Sequence, residues 1–103
     1  MTSGDSFKDF VEDQLSGLGG LSFRAMFGGH GLYRGDAFFG IFFNDRLYFK
    51  TDGSTRSDYA ARGMKCFQPS KKQKLKNYME VPPDILEDRE RLLEWAVKAC
   101  GIP

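Results

Sequence analysis

The segment Ala37–Phe43, AFFGIFF, limits what this chain can fold into more than any other. It is apolar at every position, it has the length of a strand, and turn-forming pairs bracket it: Gly35-Asp36 before and Asn44-Asp45 after. Gly, Asn and Asp tolerate positive φ, so both sites suit a tight reversal. Side chains of a strand alternate between its faces. Ala37, Phe39, Ile41 and Phe43 then fall on one face, and Phe38, Gly40 and Phe42 on the other. An antiparallel strand with one solvated face would show polar residues there. None is present, so the second face must be covered by another element of the chain or by a second copy. Burying one Phe is worth roughly 1.5–3 kcal/mol, and an exposed Phe38–Phe42 face would invite aggregation. Phe38 and Phe42 are therefore candidate interface residues, and the expectation for so short a chain is a homodimer.

The neighbouring segments extend the pattern over Phe23–Lys50. Leu21, Phe23, Ala25 and Phe27 alternate with Ser22, Arg24 and Met26, which predicts a strand over 21–27. Gly28-Gly29 supplies a turn or bulge, and residues 30–35 can pair back. Arg46–Lys50 makes a fourth strand, with Leu47 and Phe49 on one side and Tyr48 on the other. Three short turns in succession force a curled antiparallel meander.

Helices flank it. Phe7, Phe10, Val11, Leu15 and Leu18 recur at helical spacing over 5–18. Asp5 or Ser6 can cap the start, Asp9, Glu12 and Asp13 form a solvated acidic face, and Gly17, Gly19 and Gly20 end the helix. A short helix is expected over 54–62, with Tyr59 and Ala60 packing, then strands over 64–68 and 74–81. In the last of these, Leu75, Asn77, Met79 and Val81 oppose a wet side of Lys74, Lys76, Tyr78 and Glu80. Pro82-Pro83-Asp84 opens a final helix, with Asp84 and Glu87 at capping-box spacing. Ile85, Leu92, Leu93, Ala96, Ala99 and Cys100 form its buried stripe, with Trp95 on one flank. The order is α-β-β-β-β-α-β-β-α in one domain over 1–103, an α+β fold with an antiparallel sheet backed by helices in two layers.

No catalytic constellation is visible. His30 is the only histidine, which excludes a His-paired metal site. Between Gly29 and Gly31 it reads as a turn residue whose ring bonds nearby backbone. The GGHG run lacks the GxSxG elbow that a glycine-rich oxyanion loop would need, and neither a Walker motif nor GxGxxG occurs. Its glycines read as devices for turns and close strand approach. Cys66 and Cys100 lie 34 residues apart without a CxxC, and free thiols in a reducing compartment are the default. The N-terminal segment has no signal-peptide pattern, and no apolar run approaches the roughly 20 residues a membrane helix needs. The expectation is a cytoplasmic, non-enzymatic protein with no cofactor, no metal and no membrane association.

Charge bears on nucleic acid. The net charge is only +1, less than a dedicated DNA-binding domain usually carries. Yet between Arg62 and Met79 six basic residues (Arg62, Lys65, Lys71, Lys72, Lys74, Lys76) occur with no acidic one. Lys71, Lys72, Lys74 and Lys76 are candidate phosphate contacts, with Tyr78 available to stack. Lysines on an edge strand also block sheet-to-sheet aggregation, and that reading takes precedence over nucleic-acid binding.

Several runs resemble the N-terminal domain of the TfoX/Sxy family, associated with bacterial competence regulation. They are Arg24-Ala25-Met26-Phe27-Gly28-Gly29, Gly31-Leu32-Tyr33, Phe39-Gly40-Ile41 and Leu47-Tyr48-Phe49-Lys50. Further on, Tyr78-Met79-Glu80-Val81-Pro82 and Glu94-Trp95-Ala96-Val97-Lys98-Ala99 are similar to the family's tyrosine-rich segment and closing helix. The resemblance implies an α+β fold like that of type III secretion chaperones, among which dimers are common. It also implies action through protein contacts on an unknown partner, no enzyme activity and no cofactor. Full-length competence regulators carry a second, helical C-terminal domain, and the likeness here is to a stand-alone first domain.

Overall fold

The computed structural model describes residues 3–26 and 28–102, with side chains from Ser6 onward. Phe27, which the alternation puts on the face of Phe23, lies outside them, as does the side chain of Asp5. Ten elements follow one another: α1 (Ser3–Gln14), β1 (Leu21–Met26), β2 (Gly29–Arg34), β3 (Ala37–Phe43), β4 (Arg46–Lys50), α2 (Arg56–Ala60), β5 (Cys66–Phe67), β6 (Leu75–Glu80), α3 (Pro83–Leu86) and α4 (Arg89–Cys100). The six strands form one sheet in the order β1-β2-β3-β4-β6-β5, antiparallel throughout. No helix among the described residues is long and apolar enough to cross a membrane.

The expected α+β order is present, with one refinement at the end. The final helix is two helices, because the chain restarts at Asp88. Its carboxylate accepts from the Arg91 N–H at 3.2 Å, which makes it the cap of α4. Asp84 does not cap. The N-cap position of α3 is Pro82, with no side-chain bond, and Asp84 instead pairs with Arg62 at 3.3 Å. The meander turns form as read: Asn44 and Asp45 take φ of 55° and 60°, the pair of left-handed residues that a two-residue hairpin turn requires. In the GGHG run, Gly28 takes the turn at φ 78°, and Gly29 and Gly31 permit close packing. A Cβ on Gly31 would lie 2.7 Å from the Met26 terminal methyl and 3.0 Å from the Phe38 ring, and one on Gly29 would strike the Phe42 carbonyl oxygen.

One face of the sheet carries the helices. Leu32, Phe39, Phe42, Leu47, Phe49 and Met79 pack there against Val11, Leu15 and Leu18 from the α1 region, Tyr59, Ile85, and Leu92, Ala96 and Ala99 of α4. The termini are also joined by polar contacts: the buried Gln14 amide donates to the Leu86 carbonyl at 3.0 Å, and Arg89 reaches Asp13 at 2.7 Å.

The second face corrects the simple alternation. Along β2 and β3, Leu32 pairs with Gly40 but Tyr33 pairs with Phe38, so Phe39 is an extra residue in a β-bulge. The extra residue shifts the parity of the strand. Phe38 therefore shares a face with Ile41 and Phe43, while Phe39 and Phe42 belong to the helix-backed core. Phe38 and Phe42 do not form a common surface. Phe42 is covered within the chain by Phe7 of α1, ring centroids 5.6 Å apart. Phe38 stacks on Tyr33 at 5.0 Å and meets Tyr78 at a tilt, 5.3 Å between centroids. Tyr78, expected on a wet side, is buried here.

No helix residue belongs to this second cluster of Ile41, Tyr48, Phe67 and Tyr78 among the described residues. The sheet covers it by curling. Phe43 on β3 and Phe67 on β5 are three strand spacings apart, about 14 Å in a flat sheet. Their ring centroids are 5.4 Å apart, and Phe67 also meets Tyr48 at 5.1 Å. Phe67 is 1% exposed and closes the curl from the far edge. Replacing it with Ala should cost about 3–5 kcal/mol, read as a lowered urea midpoint; a loss below about 1 kcal/mol would show that Phe67 does not hold the curl.

Candidate functional site

The end of the sheet at β4, β6 and β5 forms an open hollow of about 570 Å³. Arg46 enters it because it follows the Asn44-Asp45 turn at the start of β4. Tyr48 lies two residues on, opposite Glu80 at the end of β6. Lys74 and Lys76 come from the start of β6, Lys65 and Cys66 from the β5 side, and Arg56 from the start of α2. Met64 and Met79 supply apolar lining. Five cations thus surround one carboxylate. Glu80 is held by Arg46, whose Nη1 donates to both carboxylate oxygens at 3.1 and 3.2 Å, so the remaining positive charge is unbalanced within the hollow. Burial first, and then the Glu80 carboxylate, push the Tyr48 hydroxyl above its ordinary pKa, so it stays a neutral donor.

This differs from the basic run read along the sequence. Of the four lysines singled out, Lys74 and Lys76 line the hollow, whereas Lys72 lines a smaller neighbouring one with Phe67, Pro69, Gln73 and Leu75. Lys71 is exposed and lines neither. Arg62 turns away to Asp84 and lies over the Trp95 ring at 5.4 Å. Arg46 and Arg56 were not signalled by sequence, since only the long-range pairing of β4 with β6 brings them to the lysines.

An oppositely charged hollow, about 630 Å³, lies along α1 and the start of β1, lined by Asp9, Glu12, Asp13, Ser16 and Leu21 among others. Its charge is partly matched, because Glu12 pairs with Lys8 at 3.6 Å and Asp13 with Arg89. The acidic face is exposed, as its pattern suggests, with two of its carboxylates in surface ion pairs.

His30 does not behave as a hydrogen-bonding turn residue through Nδ1, which is buried and has no hydrogen-bond partner. Its ring sits 6.2 Å from both the Phe23 and Phe42 centroids. Cys66 and Cys100 are both free thiols. Burial pushes the Cys100 thiol up, against the opposing effect of Arg34, which leaves it less nucleophilic. No group of three or more His, Cys, Asp or Glu residues among those described could hold a metal ion.

The profile of the TfoX N-terminal domain matches residues 13–101. The chain belongs to the TfoX N-terminal domain family. The matched span begins within α1 and ends just after α4, so it takes in the whole sheet and the basic hollow, whereas Asp9 and Glu12 of the acidic one precede it. No curated protein matches the chain.

Three tyrosines of this TfoX N-terminal domain contribute to its alkaline behaviour, together with Cys100. Burial raises Tyr48, Tyr59 and Tyr78 above the ordinary tyrosine value, Tyr59 most strongly. A group that ionises later in the folded chain releases its proton on unfolding. Its contribution to stability is full below about pH 10 and is lost as pH rises past that value. Denaturation midpoints should fall between about pH 8 and about pH 11, and Tyr59→Phe should flatten the fall. An unchanged slope in that variant would remove Tyr59 as its cause.

Proposed function

We propose that this TfoX N-terminal domain is a non-enzymatic regulatory or adaptor domain of the cytoplasm, acting as a homodimer through protein–protein contacts in transcriptional or competence regulation. The observation that carries the reading is the hollow at β4, β5 and β6, where Arg46, Arg56, Lys65, Lys74 and Lys76 ring an apolar lining of Met64 and Met79. Cations around apolar side chains suit an acidic protein segment that also buries apolar atoms, the usual make-up of a protein interface. The modest net charge of +1 and the acidic α1 hollow favour a local protein contact over wrapping of a polyanion.

The purified chain should capture a partner from its own cell lysate, and the capture should weaken with added salt. Lys65→Glu, Lys74→Glu and Lys76→Glu together should abolish it. Capture that ignores both the salt and the triple variant would sink the reading.

A second reading is supported by the same cations: weak nucleic-acid binding through the Arg62–Lys76 segment. A gel shift at low salt decides it, with Lys71, Lys72, Lys74 and Lys76 all changed to Glu. Binding through this segment predicts a wild-type shift that the variant loses. No wild-type shift, or an equal shift by the variant, rules the segment out.

A further inference from the structure

The two edges of the sheet are unlike. At one end, β5 is only two residues long, its pairing with β6 is irregular, and Pro69, Lys71 and Lys72 follow it. Short edges, prolines and lysines are how proteins keep an edge from pairing. At the other end, β1 is six residues long and pairs with β2 in unbroken register from Leu21 to Met26. It carries no proline, no lysine and no bulge. Its single charge, Arg24, lies over the Tyr33 ring at 4.3 Å.

The backbone of β1 is oriented for pairing. The Gly35 N–H donates to the Gly20 carbonyl at 3.1 Å, which continues the β1–β2 ladder by one residue. Hydrogen-bonded and non-hydrogen-bonded positions alternate in an antiparallel pair. Ser22, Arg24 and Met26 therefore bond inward to β2, and the N–H and C=O groups of Leu21, Phe23 and Ala25 point to the open edge. Among the described residues, no backbone bond outside the strand ladders reaches those groups.

We infer that β1 is the homodimer interface, pairing antiparallel with β1 of a second copy about a twofold axis at Phe23. This rests on the homodimer reading above and names its surface. The strand is self-complementary in this register. Phe23 faces Phe23 of the second copy, and Leu21 faces its Ala25. Every outward N–H and C=O then meets an outward partner, and any other register leaves some unpaired. Ser22 falls opposite Arg24 of the second copy, so no like charges are directly opposed. Phe23 lies on the helix-backed side, so the sheet continues across the axis with the helices of both copies on one face. Lys8, which sits over the Phe23 ring at 4.5 Å, is paired with Glu12 and brings no uncompensated charge to the axis.

The test is sedimentation of the full chain from micromolar to millimolar concentration. Wild type should run at twice the chain mass of 11.7 kDa. Ala25→Pro removes an outward N–H without touching the β1–β2 ladder, a position at which an edge strand accepts proline, and should be monomeric with an unchanged circular dichroism spectrum. Ser22→Lys sets a like charge against Arg24 of the second copy and should raise the dimer Kd several-fold, whereas Ser22→Asp should lower it. The opposite signs of that pair keep the test valid if the proline variant fails to fold. A wild type that stays monomeric overturns the homodimer reading and this interface together. A dimer whose Kd ignores all three variants leaves the homodimer standing and overturns the β1 edge.

Discussion

The whole two-layer arrangement depends on Phe39 having no partner on β2. Without that extra residue, strict alternation would put Phe38 and Phe42 on one side and leave a broad aromatic surface to be covered. With it, Phe42 joins the core beneath α1, and Phe38 joins the aromatic cluster with Tyr33 and Tyr78. Bulges also increase local twist and bend the strand. A second irregularity, between Cys66 and Phe67 in the β5–β6 pairing, lies at the residue that reaches Phe43 across the curl. A chain of this size covers both faces of its central strand with one layer of helices and its own curvature.

The cluster so formed sits directly behind the charged hollow. Tyr48 belongs to both: its ring packs on Phe67, and its residue lines the space among Arg46, Lys65 and Lys76. Burial keeps its hydroxyl neutral, so the hollow gains a polar contact without a second anion. Aromatic packing thus lies beside a ring of cationic side chains, of which Arg46 is fixed on Glu80.

Much of this was legible in the chain. The turn at Asn44-Asp45, the glycine-permitted close approach at Gly29 and Gly31, and the short helix around Tyr59 all follow from local chemistry. What was not legible depended on neighbours. A bulge leaves no mark in a strand where every residue is apolar, since Ala37–Phe43 reads equally well in either parity. Asp84 suits a cap in sequence, but α3 begins at Pro83 and leaves it within the first turn, paired with Arg62, while Asp88 caps α4. The convergence of Arg46 and Arg56 on the lysines required knowing that β4 lies beside β6, two strands separated by a helix and by β5. The run of lysines seemed a unit only because it is contiguous in sequence, and the fold divides it.

The contacts between the two ends of the chain bear on the order of its assembly. The β1–β4 meander closes through short turns, the kind of local contact that forms early and quickly. α1 is different. Its buried Gln14 is satisfied by Leu86, and its Asp13 by Arg89, in segments made after the sheet. As the chain leaves the ribosome, the first helix emerges well before its partners exist. Phe7 can settle on Phe42 once β3 is made, but Gln14 and Asp13 must wait for Leu86 and Arg89. The polar contacts of α1 thus form only after the sheet they lie beside, with Asp9, Glu12 and Asp13 on its exposed outer side.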